Sequence, residues 1–295
     1  MIVCLAANPS IDRLFAVDRL TPGGIHRPAE FAQVAGGKGL NVARAASALG
    51  AEVRAVALLG GHAGRWIAEQ CDREGIELAA ARMQEETRSS LSVAGADQGL
   101  TEFYEHGAAA TLEEWRGFAE LAARHLPQAG WATISGSLPP GAPADGYVPL
   151  IRAARVAFDS REQGIAARPA LVKVNAAEAA QLTGRDDALD AARTLHEAAG
   201  GVAIVTRGRD GAVMVGLDGS ALGGSSDADG RYPVGSGDAF LAGLVVALDA
   251  GADWDDALRA AIGAGAANAE QPGAGRLDPE RARAIADAVR LSHAA

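Results

Sequence analysis

Six short apolar runs, separated by segments of helical spacing, constrain this chain more than any other feature. "MIVCLAA", "EVRAVALLG", "WATISGS", "ARVAFDS", "ALVKVN" and "GVAIVTRG" are nearly continuous in apolar residues, the pattern of strands buried on both faces. "LNVARAASALG", "RWIAEQCDREG", "LEEWRGFAELAARHL", "AAEAAQLTG" and "DDALDAARTLHEAAG" place their apolar residues at three- and four-residue intervals and read as helices. A strand that returns parallel to its predecessor needs a crossover helix. The alternation therefore predicts an α/β fold, a mostly parallel sheet with helices on both faces. No internal repeat, low-complexity tract or linker interrupts it.

The 295 residues suffice for a large core, and 48% hydrophobic with 22% charged residues is the balance of a soluble globular chain. Aromatics are only 4% and the formal charge is −10. That balance argues against nucleic acid and anionic membrane as partners. An anionic ligand must then be held by a local cluster of Lys, Arg and backbone N–H groups. Cys4 and Cys71 carry no motif, and Cys4, in the opening strand, is expected to be buried and inert. "HEAAG" at His196 lacks the second histidine of a zinc helix, and no Cys/His cluster stands elsewhere, so zinc is not expected. "MIVCLAANPS" lacks the basic start of a signal peptide and nothing reaches transmembrane length, which points to the cytoplasm.

Two segments break the alternation. Residues 11–35, "IDRLFAVDRLTPGGIHRPAEFAQVA", look like short strands around a Pro-Gly-Gly turn. Residues 87–106, "TRSSLSVAGADQGLTEFYEH", read as a hairpin with a Gly-rich middle. Together they suit either a small β-layer serving as a lid or an edge extension of the main sheet, and pattern alone leaves both open.

The stretch "YPVGSGDAFLAGLVVAL" carries the sharpest chemical signal. Its run from Ala239 has helical spacing and stops at Gly251. Gly235, Ser236 and Gly237 would form the turn at the helix N-terminus, where free N–H groups and the helix dipole favour an anion. Asp238 enters with that turn, and a carboxylate beside an anion site suggests a base next to a transferring phosphate.

"AGGKGLN" (Ala35 to Asn41) has neither phosphate-loop spacing, since Ala32 and Gly39 stand where Gly and Ser or Thr are required, nor the dinucleotide fingerprint, since Val42 takes its third Gly. Gly36 and Gly37 still allow close backbone approach, Lys38 supplies a cation, and Asn41 is expected to open the helix. A Gly-rich turn with a solvated lysine would explain the stretch equally. Arg88 in "ETRSS" and Arg27 in "GGIHRPAE" offer phosphate-shaped forks, although a solvated surface position is the commoner fate of a single arginine. Asn175 and Glu178 in "KVNAAEAAQL" stand three apart. Spacing favours a helix cap and its capping-box partner over the alternative, a pair that positions magnesium-bound water. "VTRGRDGA" is either a hairpin turn or a loop lying over a nucleotide.

Taken in order, "NPSIDR", "AGGKGLNVARA", "ALLGG", "ETR", "SGSLPPG", the N-x-x-E pair, "GSGDAFLAG" and "EQPGAG" resemble the PfkB (ribokinase-like) carbohydrate kinase family over nearly the whole chain. Within it they look most like the 1-phosphofructokinase and tagatose-6-phosphate kinase group. The resemblance implies one kinase domain over residues 1–295, a Rossmann-like body with a β-lid at about 11–35 and 87–106, and a homodimer through that lid. It implies ATP and magnesium, and a small-molecule sugar or sugar phosphate as partner. By the same resemblance Asp238 is the base, and Gly235, Ser236 and Gly237 form the anion hole for the γ-phosphoryl group. Asp12, Gly36, Gly37 and Asn41 would hold sugar hydroxyls. Lys38 and Arg88, with Arg27 and Ser137, would hold the sugar's existing phosphate. Lys173, Asn175, Glu178, Thr206, Gly208 and Gly211 would line the ATP side, with Glu178 on the metal through water and Gln271 near the adenine. Asp238 must be ionised to serve, which the helix N-terminus favours.

Departures from the group lie mostly on the lid. Ser236 replaces the usual Ala and Val174 the usual Pro, both mild. Ser90 and Ser92 stand where Asn and Lys are usual, Tyr104 and His106 where Asn and Pro are, and the stretch from Tyr147 to Lys173 is compressed. The favoured acceptor is a phosphorylated ketohexose of the fructose 1-phosphate, fructose 6-phosphate or tagatose 6-phosphate type. Loss of the lid cation supports a rival, a kinase of an unphosphorylated sugar or nucleoside. A non-catalytic sugar-binding regulator on the same fold is the other alternative, and the intact Asp238 speaks against it.

Overall fold

The computed structural model describes residues 1–96 and 99–294. The chain opens with β1 (Ile2–Ala6), followed by β2 (Ser10–Val17) and β3 (Glu30–Gly36), which leave the main sheet. Helix α1 (Lys38–Ala48), β4 (Val53–Gly60), α2 (Gly61–Arg73) and β5 (Glu77–Met83) return to it, and β6 (Ser89–Gly95) and β7 (Gly99–Tyr104) leave again. Next come α3 (Leu112–His125), β8 (Trp131–Ser135), the short α4 (Val148–Ile151), β9 (Val156–Asp159) and β10 (Leu171–Asn175). Helices α5 (Ala176–Thr183) and α6 (Ala188–Ala199) lead to β11 (Val202–Thr206), β12 (Ala212–Val215) and β13 (Ala221–Ser225). Helices α7 (Ser236–Asp249), α8 (Trp254–Ala269) and α9 (Pro279–Asp287) and strand β14 (Arg290–Ala294) complete the chain.

The main sheet has ten strands in the order β14-β13-β12-β11-β10-β9-β8-β1-β4-β5. From β5 to β11 every neighbouring pair is parallel, and β12, β13 and β14 add an antiparallel edge. All six apolar runs lie in the parallel part. Alternate residues of β1 serve opposite faces: Ile2, Cys4 and Ala6 pack with α1, α7 and α8, whereas Val3 and Leu5 pack with Trp115 and Phe118 of α3. Burial on both faces is why these strands read as unbroken apolar runs. Cys4 and Cys71 are buried free thiols, and burial, the main cause for each, pushes them up to about 12 and about 11. Among the described residues no helix is long and apolar enough to cross a membrane.

The two off-pattern segments build a separate four-stranded sheet, β3-β2-β6-β7, so they are not an edge extension of the main one. Strand β2 pairs antiparallel with β3 and parallel with β6, which brings Asp12 beside Val34 and Ser90, and Ser90 beside Tyr104. Tyr232, from the loop before α7, packs on Leu14, Ala32 and Ala94 of this sheet, while its backbone N–H donates to the Ala269 carbonyl at the end of α8. One aromatic side chain thus joins the small sheet to the body.

Candidate active site

The parallel strands end on the side where α1, α5 and α7 begin, the usual ligand side of an open α/β sheet. Helix α7 starts at Ser236, and Gly235 precedes it at φ 82°. A Cβ on Gly235 would lie 2.6 Å from Ala274 Cα, so glycine is required both for the left-handed backbone and for the close approach. A Cβ on Gly237 would lie 2.9 Å from Lys173 Nζ, so that ammonium sits directly against the turn. In this first turn the Ser236 N–H donates to the Pro233 carbonyl at 3.1 Å and the Asp238 N–H to the Gly235 carbonyl at 3.0 Å, and Lys173 adds its positive charge to a helix end whose dipole favours an anion.

Asp238, in the same turn, is only 6% exposed. Asn41 Nδ2 donates to its Oδ2 at 2.9 Å. Burial pushes the Asp238 carboxyl up to about 7; Lys38 pulls it down, Asp159 pushes it up, and Lys173 and the Asn41 hydrogen bond pull it down. Burial therefore works against the ionised form that the helix N-terminus was expected to favour, while Lys38, Lys173 and Asn41 work for it. Asn41 also differs from expectation. Helix α1 begins at Lys38, three residues earlier, so Asn41 stands inside the first turn and faces Asp238 instead of opening the helix.

Beneath Asp238 lies a carboxylate that the sequence reading missed. Asp159, at the end of β9, is fully buried and accepts from Lys38 Nζ at 3.1 Å and Lys173 Nζ at 3.0 Å. Burial works to raise its pKa, but Lys173 and then Lys38 outweigh it and hold the group below the usual carboxylate range. Lys38 Nζ also donates to Glu178 Oε1 at 3.2 Å. Burial acts to lower the Lys38 pKa, and Asp159, Asp238 and Glu178 more than offset it, so the ammonium stays charged. Lys38 thus points toward Asp159 and Glu178. Its stem runs past Gly136, where a Cβ would sit 3.6 Å from Lys38 Cβ, next to Ser137.

The lid side gathers a second group. Asp12 accepts from the Gly37 N–H at 3.0 Å and from the hydroxyls of Ser10 and Ser90. A Cβ on Gly36 would collide with the Asp12 carboxylate, which explains that glycine. Arg88 Nη2 donates to the Asn8 carbonyl at 3.3 Å, and Asn8 Nδ2 donates to Ser137 Oγ at 3.0 Å, so Asn8 contacts both residues. Arg88 Nε is buried and has no hydrogen-bond partner. Arg27 lies exposed in the loop between β2 and β3 and touches none of these groups.

A cavity of about 450 Å³ opens beside the first turn of α7. Thr206, Gly208 and Gly211 of the β11–β12 turn line it, as do Ser236, Gly237 and Phe240 of α7, with small residues of α8 opposite. "VTRGRDGA" is therefore both a hairpin turn, closed by Arg207 N–H donating to the Gly211 carbonyl, and a cavity wall. Asn175 and Glu178 form a complete capping box, as spacing favoured, with Glu178 Oε1 left to meet Lys38. Gln271 falls in the turn beyond α8 and is not among the lining residues, so the structure does not bring it to this cavity. Asn268, also missed, is fully buried in α8. It donates to the Val234 carbonyl at 3.0 Å, lies 3.5 Å from Ser236 Oγ and accepts from the Gly275 N–H, tying down the turn before α7.

A buried carboxylate at a helix N-terminus, between a cavity of about 450 Å³ and the polar face of a separate sheet, is an arrangement that suits phosphoryl transfer. Comparison with known proteins agrees. Residues 1–281 match the model of the pfkB family carbohydrate kinases. The chain belongs to that family and is an ATP-dependent carbohydrate kinase. It is 32% identical over 273 residues to 1-phosphofructokinase of Haloferax volcanii, covering 89% of this chain and 88% of that protein. It superposes on Escherichia coli phosphofructokinase-2 in complex with substrates and products with a TM-score of 0.87, at 26% identity, over 97% of this chain and 98% of that one. Thermotoga maritima ribokinase shares the fold alone, with a TM-score of 0.79 at 19% identity over 97% and 99% of the two chains.

Proposed function

We propose that this kinase transfers the γ-phosphoryl group of ATP to a hydroxyl of a phosphorylated ketohexose of the fructose 1-phosphate, fructose 6-phosphate or tagatose 6-phosphate type. The observation that carries the reading is Asp238, buried in the first turn of α7 beside the Gly235-Ser236-Gly237 turn, with one carboxylate oxygen held by Asn41 Nδ2. Asp238 takes the proton of the acceptor hydroxyl as that oxygen attacks the γ-phosphorus. The N–H groups of Gly235 and Gly237 and the Lys173 ammonium hold the charge that grows on the phosphoryl oxygens, and the Ser236 N–H, which donates to the Pro233 carbonyl at 3.1 Å, joins them only by leaving that partner. ATP lies in the cavity beside α7, its base among Phe240, Ile262 and Ala266. Asp12, Gly36 and Gly37 meet the sugar hydroxyls, and Asn41 reaches the sugar only through its bond to Asp238.

Arg88 receives the sugar's existing phosphate, with Ser137 beside it. The buried, unpartnered Arg88 Nε supports this, because a guanidinium N–H without an acceptor is costly unless a ligand supplies one. Magnesium fits the donor set in one way. Glu178 has each carboxylate oxygen already engaged once and retains lone pairs for water, and among the described residues no group of three or more metal-type ligands forms a cage. Glu178 would hold such an ion through its water shell. The ion would neutralise charge on the ATP phosphates.

We also assign residues 1–295 to one kinase domain working in the cytoplasm, as a dimer through the lid. By strand alternation the sheet face opposite Asp12 and Ser90 carries Phe15, Phe31, Leu91 and Phe103, and Phe31 and Phe103 are more than half exposed. Phe31→Asp with Phe103→Asp is expected to halve the solution mass measured by light scattering. A wild-type monomer would contradict the dimer.

Arg88→Ala tests the acceptor class. KM for fructose 1-phosphate should rise about 100-fold, the scale of a lost charge-assisted fork, and KM for free fructose should hardly move. An equal rise for both sugars would remove Arg88 from the phosphate site. It would also favour the unphosphorylated acceptor that Ser90 and Ser92, in place of a cation, suit better.

A further inference from the structure

Arg44 lies on α1 one turn after Asn41, and only 6% of it is exposed. A guanidinium this deep must have its charge matched and its N–H groups used. Glu74, just past the end of α2, matches the charge, accepting from Arg44 Nε at 2.8 Å. The remaining donors reach the segments that build the site. Nη2 donates to the carbonyl of Ala35, the residue before Gly36 and Gly37, at 2.6 Å. Nη1 donates to the carbonyl of Ala274, on which Gly235 packs with no room for a Cβ, at 3.1 Å. Nη1 also reaches Asn41 Oδ1 at 3.4 Å.

That last contact decides how the Asn41 amide faces. Arg44 has only donors and the ionised Asp238 only acceptors, so one orientation satisfies both: oxygen toward Arg44, NH2 toward Asp238. Reversed, the amide oxygen would meet a carboxylate and its NH2 a guanidinium. We propose that Arg44 is a positioning residue of the phosphoryl transfer: it fixes the Asn41 amide so that one Asp238 oxygen is held by an N–H and the other is left to take the proton. Through Ala35 and Ala274 the same guanidinium keeps the Gly36-Gly37 turn and the anion-hole turn in register. The inference rests on Asp238 being the base.

The test is the titration of the Asp238 carboxyl, read by carbon-13 NMR on aspartate-labelled protein, with the signal assigned by its loss in Asp238→Asn. It is set beside the pH profile of kcat with magnesium-ATP and fructose 1-phosphate. Arg44→Met, Arg44→Lys and Asn41→Ala should each move the carboxyl midpoint and the acid limb of kcat upward by about one pH unit, the effect of losing a hydrogen bond to a charged group. KM for ATP should stay within about twofold, and Arg44→Met should add nothing in the Asn41→Ala background. A lysine that restores the wild-type midpoint would show that charge and not geometry is at work, and would overturn the inference. So would an unmoved midpoint, or a double variant that shifts further. A midpoint that moves while the acid limb of kcat stays would leave Arg44 holding the carboxyl and refute Asp238 as the base. If Arg44→Met does not unfold cooperatively, Arg44→Lys decides alone.

Discussion

Asp238→Asn should lower kcat by about 1,000-fold and at the same time make the protein more stable at pH 8. The loss of turnover follows from removing the proton acceptor, which for general-base catalysis costs between about 100- and 10,000-fold. The gain in stability follows from the sign of the pKa shift. Burial raises the Asp238 carboxyl from 3.8 to about 7. Between those values the native chain binds a proton that the unfolded chain releases, so this group opposes folding increasingly as pH rises from 4 to 7. Above pH 7 the cost is complete. About three pH units at about 1.4 kcal/mol each sets a ceiling near 4 kcal/mol. Asparagine has nearly the shape of the protonated acid and no charge, so it removes this cost. The variant's advantage in urea unfolding should be largest at pH 8 and should fade by pH 5. An advantage that grows as pH falls would mean that Asp238 is ionised in the native protein well below 7.

Asp159→Ala should have the opposite effect, destabilising by about 3–5 kcal/mol, because it strands a buried lysine without its counter-charge. The side chains of Lys173 and Asp159 are 4% and 0% exposed, and their pairing distance is 3.0 Å. The contrast is Asp227→Ala, which breaks an ion pair with Arg290 whose partners are 79% and 66% exposed. Water screens that pair, so its loss should cost far less. Urea unfolding at pH 7 of the two variants gives the comparison directly. Equal costs would mean that Asp159 is not the buried keystone between Lys38 and Lys173. Turnover should also fall in Asp159→Ala, since both lysines would lose the carboxylate that aims their ammonium groups.

Local sequence carried the fold where local forces decide it. The central strands are apolar on both faces, so each leaves a continuous run that no surface helix would show. The edge strands β5 and β14, and β13 beside β14, leave none. "ELAAARM" is partly exposed along most of its length, "RLSHA" lies along the sheet edge, and "ALGGS", although mostly buried, is short and its apolar pattern is broken by glycine. The site divides in the same way. Asp238 was legible because glycines, a carboxylate and a helix start adjoin in sequence. Asp159 ends a stretch already read as a strand, and an acidic residue at the C-terminal end of a parallel strand was the signal available. The aim of Lys38 was not legible. Its partner Asp159 is 121 residues away in sequence, and only the assembled sheet brings them within 3.1 Å. Asn268 and Arg44 hide within helices whose other buried residues are small or apolar, where a polar group shows its purpose only through its partners.

The measurement that bears most directly on the proposed reaction is ADP release from magnesium-ATP with paired acceptors: fructose 1-phosphate, fructose 6-phosphate and tagatose 6-phosphate against fructose, tagatose and a nucleoside. Turnover with a ketohexose phosphate and none above the ATP-only rate with its unphosphorylated partner is the predicted result. Turnover confined to a free sugar or nucleoside would contradict the phosphate role of Arg88 and Ser137 and leave the lid serines to define the acceptor. No turnover with any of them would contradict the proposed acceptor class altogether.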